Sequence, residues 1–399
     1  MAEFRRVYLD NAATTPVHPE VIKIMVRYMA EDFGNPSSIH AFGREARKAV
    51  DTAREHAAAL IGATPREIIF TSGGTEADNL ALRGIAEAYQ DRGKHIITSP
   101  VEHHAILHTT DYLRRHGYDI TVLPVDEYGM VHVEDVEAAI RPDTILISIM
   151  HGNNEVGTIQ PVAEIGRLAK ERGIKFHVDG VQATGQVPVD VNALGVDLYT
   201  YSGHKIYGPK GIGVLYLRQG TKLVPLAYGG SHERNRRAGT EGVPGIVGIG
   251  KAAELAKRDF NERVAHLTHL RDKLIKGVLG SIDHVRLNGH PTIRLPNNTN
   301  FSIEYVEGES ILLNLDMKGI AASSGSACTS GSLEPSHVLM AMGLPHEIAH
   351  GSLRLTVGRE NSDEDIDYVL EVLPGIVSKL RSMSPLYADA VKAAAVQRT

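Results

Sequence analysis

The chain has 399 residues, 42% hydrophobic and 23% charged, with a formal net charge of -6. That is the composition of a folded globular protein of about two domains, not of a disordered one. Lysine and arginine are scattered, so nucleic acid is not an expected partner. Apolar runs such as TILISIM fall well short of the ~18 residues of a membrane span. MAEFRRVYLDNAATTP lacks the apolar core and cleavage site of a signal peptide, so a cytoplasmic protein is expected.

From about residue 66 to 217, short β-branched runs alternate with amphipathic helices. REIIF precedes TSGGTEADNLALRGIAEAY, where Ala77, Leu80, Ala81, Gly84, Ile85 and Ala88 recur at helical spacing and predict a helix beginning near Glu76. KHIITS leads into VEHHAILHTTDYLRR, TILISIM into PVAEIGRLAKERG, and IKFHVD, VDLYTY and GIGVLYL read as further strands. Strands alternating with helices predict a mostly parallel α/β sheet, with ligands at the carboxyl ends of its strands. After about residue 245 the pattern changes. IVGIGKAAELAKRDFNERVAHLTHLRDKLIKGVLG reads as one long helical stretch, short strands and helices follow, and a second, α+β domain is expected with its boundary in residues 245 to 265. The final ADAVKAAAVQRT is alanine-rich and reads as helical.

Three strand ends carry polar residues. In FTSGGTEADNL, glycines, the Thr75 hydroxyl and a helix N-terminus suit a phosphate, although the same turn also serves as an ordinary helix cap. In KFHVDGVQA, His177 and Asp179 share one face of a strand, and Asp179 at its end can hold a proton on a bound heterocycle or simply cap a helix. In YSGHKIYGPKGIG, Lys205 follows a strand directly; beside a phosphate cup and a strand-end aspartate it is placed for a Schiff base, and otherwise it reaches solvent. Cys328 is the only cysteine, which excludes an intrachain disulfide and a multi-cysteine metal cage. Packing filler, lone ligand and reactive thiol all remain open for it, although SSGSACTSGSLEPS is unlike the apolar setting usual for packing cysteines.

YLDNAATTP, FGNPSSIHAFG, FTSGGTEADNL, EHHAI, MHGNNEVGTIQP, HVDGVQA, YSGHKIYGPKGIG, GGSHERNRRAGTEGVPG, VEGES, SSGSACTSGSLEPS and HGSLRLTVGREN occur in order from residue 7 to about 386. Together they resemble the cysteine desulfurases of the nitrogen-fixation and iron-sulfur-assembly type, within the class V aminotransferases. The resemblance implies a fold type I pyridoxal-phosphate enzyme. Its large cofactor-binding domain, with a mostly parallel sheet, would span residues 16–259, and a smaller α+β domain of residues 1–15 and 260–399 would carry the cysteine loop.

The resemblance also assigns roles. Lys205 would hold pyridoxal 5'-phosphate covalently, Asp179 would keep its ring nitrogen protonated, and Gln182 would contact the ring hydroxyl. His103 would stack on the ring and take part in proton transfer, with His104 the weaker candidate. Gly74, Thr75, Ser202 and His204 would bind the phosphate, and Thr240 would reach the phosphate of the neighbouring subunit, which implies a homodimer. Asn154, also beside the cofactor, and Arg354 would hold the substrate, Arg354 pairing with its carboxylate through a planar fork. Cys328, as thiolate, would take the sulfur of L-cysteine as a persulfide, releasing alanine and passing sulfur to an acceptor such as an iron-sulfur scaffold protein. Its loop would be mobile, and serine at 328 would not turn over. No metal is implied. Gly180 and Ser231 stand where the family often has alanine and glycine, with no effect on chemistry expected.

Other readings remain open at this point. Ser202 and Lys205 fit the SxxK pattern of serine acyl-transfer enzymes, but the accompanying SDN and KTG strings do not occur. A selenocysteine lyase, an aminotransferase of the same fold, or a non-catalytic scaffold would share most of the motifs.

Overall fold

The computed structural model describes residues 5–324 and 335–389. Cys328 with the expected mobile tip of its loop, and the alanine-rich tail from residue 390, lie outside the described residues. The strands are β1 (Val7–Tyr8), β2 (Ile68–Thr71), β3 (His95–Thr98), β4 (Asp119–Val122), β5 (Thr144–Ser148), β6 (Lys175–Asp179), β7 (Leu198–Ser202), β8 (Gly213–Leu217), β9 (Val285–Leu287), β10 (Asn298–Ile303), β11 (Ile320–Ala321) and β12 (Ser352–Thr356). Between them run the helices α1 (Pro19–Ala30), α2 (Ala41–Leu60), α3 (Gly74–Tyr89), α4 (His104–Arg115), α5 (Val133–Ala139), α6 (Val162–Arg172), α7 (Val243–Arg258) and α8 (Phe260–Ser281). The last are α9 (Gly308–Asp316), α10 (His337–Ala341), α11 (His346–His350) and α12 (Asp363–Ser382).

Seven strands form the central sheet in the order β2-β8-β7-β6-β5-β3-β4. β4, β3, β5, β6 and β7 are mutually parallel, and β8 runs antiparallel to β7 and β2. Every residue of β2, β3, β5, β7 and β8 is buried, because helices cover both faces of the sheet. Alternate residues sort to the two faces: Ile68 and Phe70 join one apolar core with α2, α6 and α7, while Ile69 joins the other with α3 and α4. The strands expected from β-branched runs all form. β4 was not expected, since its DITV is a half-exposed edge without an apolar run.

Two sequence expectations need correction. The helix after FTSG starts at Gly74 rather than near Glu76, because Gly73 (φ 157°, ψ -179°) adopts a conformation open essentially only to glycine and ends the extended segment there. The long helical stretch is two helices, broken at Asp259, whose φ -98° and ψ 15° leave the helical basin. The break falls where the chain changes cores. Ile246, Val247, Ile249, Ala252 and Ala253 of α7 pack in the core shared with α2, whereas Leu267, Leu270, Leu274 and Val278 of α8 belong to another, with β10, β12 and α12. One straight helix could not point its apolar face at both.

Among the described residues no helix is long and apolar enough to cross a membrane. Close packing explains the glycine at position 180. A Cβ there would lie 2.0 Å from Cζ of Tyr199, a wholly buried ring whose hydroxyl meets His151 Nδ1 at 3.0 Å. Gly180→Ala should therefore lower the unfolding free energy by about 1–3 kcal/mol, the usual range for overpacking, as measured by urea denaturation.

Candidate active site at the strand ends

The carboxyl ends of β2, β6 and β7 open onto one cavity of about 310 Å³, a size suited to a small cofactor with substrate. Gly74 and Thr75 enter it from the first turn of α3, Asp179 from the end of β6, and Ser202, His204 and Lys205 from the end of β7 and the turn after it. His103, Asn154, Gln182 and Arg354, also expected from the sequence, line it too. His104 does not line the cavity; its ring packs against His108 and His337, with centroids 5.0 and 4.9 Å away. Thr240 is exposed and also lies outside this lining.

A strap of chain from residue 7 to 15 closes one side. Leu9 and Asn11 pair by backbone with Thr356 at 2.7 and 3.3 Å, and the Thr15 N–H reaches the His204 carbonyl at 3.0 Å. The carbonyls of Ala12 and Ala13 accept from Lys205 Nζ, the latter at 2.8 Å, and Gln182 Nε2 also donates to Ala12 at 2.9 Å. Arg354 is 3% exposed; its Nη2 donates to Asp10 Oδ1 at 2.9 Å and its Nη1 to the Asn154 carbonyl at 3.0 Å, while Nε has no partner among the described residues. Both ends of the guanidinium fork are thus already engaged, so an arriving carboxylate must share or displace Asp10.

Burial dominates the electrostatics. It pushes the Asp179 carboxyl up to about 7, with the Asp78 charge adding to the effect, and the Asp78 carboxyl up to about 8. Glu102, behind His103, is likewise pushed up to about 8. His103 is pulled down to about 4 by burial and then by Lys205, and His204 to about 4 by the same two causes. At neutral pH both rings are uncharged. His103 caps α4 by accepting the Ala105 N–H on Nδ1 at 3.1 Å, so its own proton sits on Nε2, the nitrogen left for the cavity.

Sequence reasoning missed Asp10, Asp78, Glu102 and the Ala12 and Ala13 carbonyls. Asp78 carried a signal, being a carboxylate on the inward face of a helix marked by Ala77, Leu80 and Ala81. Backbone acceptors carry none.

The donor set suits pyridoxal phosphate. Helix N–H groups at Gly74 and Thr75 face an opening beside Ser202 and His204, and nothing lies within 4 Å of where a Cβ on Gly73 would stand. At the other end the buried Asp179 carboxylate takes an N–H from Val181 at 2.9 Å and can also meet a protonated ring nitrogen. The fold and this site define the class. Residues 7–369 match the family Aminotransferase class-V, and the chain belongs to that family of pyridoxal-phosphate-dependent enzymes. Over 384 residues the chain is 60% identical to the cysteine desulfurase IscS of Methanosarcina thermophila, covering 96% of this chain and 95% of that protein. It is 57% identical over 381 residues to the cysteine desulfurase IscS of Dictyoglomus turgidum, covering 96% and 97%. A solved structure titled NifS-like protein superposes with a TM-score of 0.89 at 39% identity, covering 94% of this chain and all of that one.

The Asp78 carboxyl, at about 8 in the fold against about 3.9 unfolded, is protonated in both states at low pH. It therefore destabilises the fold progressively as pH rises between the two values, by at most about 1.4 kcal/mol per pH unit. In unliganded protein, Asp78→Asn should gain stability relative to wild type between pH 5 and 8, read by urea denaturation at each pH; a constant gap would contradict the assignment.

Proposed function

We propose that the chain is a cysteine desulfurase that converts L-cysteine to L-alanine and takes the sulfur onto Cys328 as a persulfide. The observation that carries this reading is the convergence of Lys205, Asp179 and Arg354 on one cavity. Relatives 51–60% identical over nearly the whole chain and named for this activity support it.

Lys205 would hold the cofactor through Nζ until the substrate amine takes its place. Asp179 would stay anionic against the protonated ring nitrogen, and Gln182 would meet the ring hydroxyl. Gly74, Thr75, Ser202 and the neutral His204 would donate to the phosphate, joined by Thr240 of a second copy in a homodimer. When bound, pyridoxal phosphate supplies an electron sink that draws charge from the substrate's α-carbon. His103 would lie against the ring with Nε2 carrying its proton, and Asn154 and Arg354 would orient the substrate, Arg354 through its carboxylate.

The Cys328 thiolate then attacks the substrate sulfur: an S–S bond forms, the C–S bond breaks, and protonation of the released carbon framework yields alanine. A thiol is a few per cent ionised near neutral pH and a serine hydroxyl is not. Cys328 lies four residues beyond Ser324, a chain length spanning at most about 14 Å. Ser323 itself pairs by backbone with Arg354 at 3.2 and 2.6 Å, so the described chain that leads toward residue 328 runs beside the residue proposed to hold the substrate.

In this reading residues 16–259 form the cofactor-binding domain, and residues 1–15 and 260–399 the smaller one. The protein is cytoplasmic, and the persulfide passes to an iron-sulfur scaffold protein.

Purified protein should show a visible absorbance from bound cofactor that is lost in Lys205→Ala, and should form alanine from cysteine with no 2-oxo acid present. A requirement for a 2-oxo acid would favour the aminotransferase. Arg354→Lys should raise KM for cysteine roughly 10- to 100-fold, the worth of a charge-assisted fork, with a smaller change in kcat; an unchanged KM would remove Arg354 from the substrate site.

A further inference from the structure

Residues 231–240 hold an unusual backbone in an unusual set of anchors. Glu233, Arg234 and Asn235 have φ of 45°, 57° and 63°, three successive non-glycine residues in the left-handed region, which L side chains disfavour. Glu233 is buried, and its carboxylate takes both Arg54 Nη1 and Nη2, at 2.8 and 2.7 Å, with the Phe70 N–H at 3.1 Å. Arg54, also buried, donates to the Ile68 carbonyl at 2.8 Å and lies 4.6 Å above the Phe70 ring. Farther along, Arg237 pairs with Glu76 at 2.8 and 3.2 Å, and Glu76 accepts the Ser72 N–H at 2.7 Å. Both clamps therefore seize β2 and its turn into α3, the unit that carries Gly74 and Thr75 to the cavity. Thr240, three residues past Arg237, projects from this doubly fixed segment into solvent.

A buried ion pair adds little net stability compared with an apolar pair of similar shape, but it holds geometry strictly. Here it holds a strained segment with no apolar core of its own.

We propose that Glu233, through Arg54, is a positioning residue for the active site of the other subunit. It fixes residues 233–235 on β2 and so aims Thr240 at the partner copy's cofactor phosphate. The proposal rests on the reading of Thr240 and the homodimer given above. It adds that the phosphate cup of one copy and the residue that copy lends to its partner are set by the same strand.

Differently tagged chains can be co-expressed so that only one site per dimer keeps Lys205. In the first arrangement E233Q and K205A lie on different chains, so the surviving site receives Thr240 from a chain with an intact clamp. In the second both substitutions lie on one chain, and the wild-type site receives Thr240 from the altered clamp. Pyridoxal phosphate affinity, titrated by visible absorbance, should match a K205A/wild-type dimer in the first arrangement. In the second it should weaken roughly tenfold, the worth of one well-placed hydrogen bond.

Loss in the first arrangement, loss in both, or loss in neither overturns the proposal. E233D, with the charge kept and the reach shortened, should give the same pattern more weakly, and serves if E233Q does not fold. T240A in the same two arrangements tests the underlying reading. No loss with T240A removes that reading, whereas loss with T240A but not with E233Q or E233D removes this proposal alone.

Discussion

The hold of the Ala12 and Ala13 carbonyls on the Lys205 amine is the contact around which the site is arranged. Those carbonyls belong to the strap of residues 7–15, which is pinned on both sides. Leu9 lies in the core built by α8, α12 and β10, and its carbonyl accepts from Thr356 of β12. At the other end Thr15 grips the His204 carbonyl, next to Lys205. A segment that is part of one core thus sets the position of a side chain that belongs to another. Asp10, in the middle of the strap, reaches Arg354, so the amine and the guanidinium share one backbone reference.

The cavity also concentrates ionisable groups that burial drives toward neutrality from both directions. Asp78 and Asp179 are pushed up, as is Glu102 outside the lining next to His103, while His103 and His204 are pulled down. The fold bears a cost for this: the carboxylates weaken it as pH rises toward 8, and the histidines as pH falls from their ordinary value toward 4. Such opposed shifts in one cleft mark chemistry more than stability. An anion at the α3 N-terminus and a cation against Asp179 would offset part of that cost.

Much of the sheet was legible because its strands are buried on both faces and read as continuous β-branched runs, TILIS and HIIT among them. β4 was not, because an edge strand lacks that signature. The α7–α8 break was hidden for another reason: helical periodicity runs through Asp259 unbroken, and only the existence of two cores decides that the chain must turn. Within the site, Lys205, Asp179 and Thr75 were visible as polar residues at strand ends. The Ala12 and Ala13 carbonyls were not, since backbone acceptors leave no mark on residue type. The clamp at Glu233 was equally hidden, as its partner Arg54 lies 179 residues away.

The account places a cofactor lysine and a sulfur-carrying cysteine in one reaction, with Arg354 near the backbone that leads to residue 328. Its most direct test is the mass of the Cys328-containing peptide after incubation of the holoenzyme with L-cysteine, before any reductant is added. The account predicts the addition of one sulfur atom at Cys328 together with alanine in solution. Alanine formed at full rate with Cys328 unmodified, or with Cys328 replaced by alanine, would contradict it.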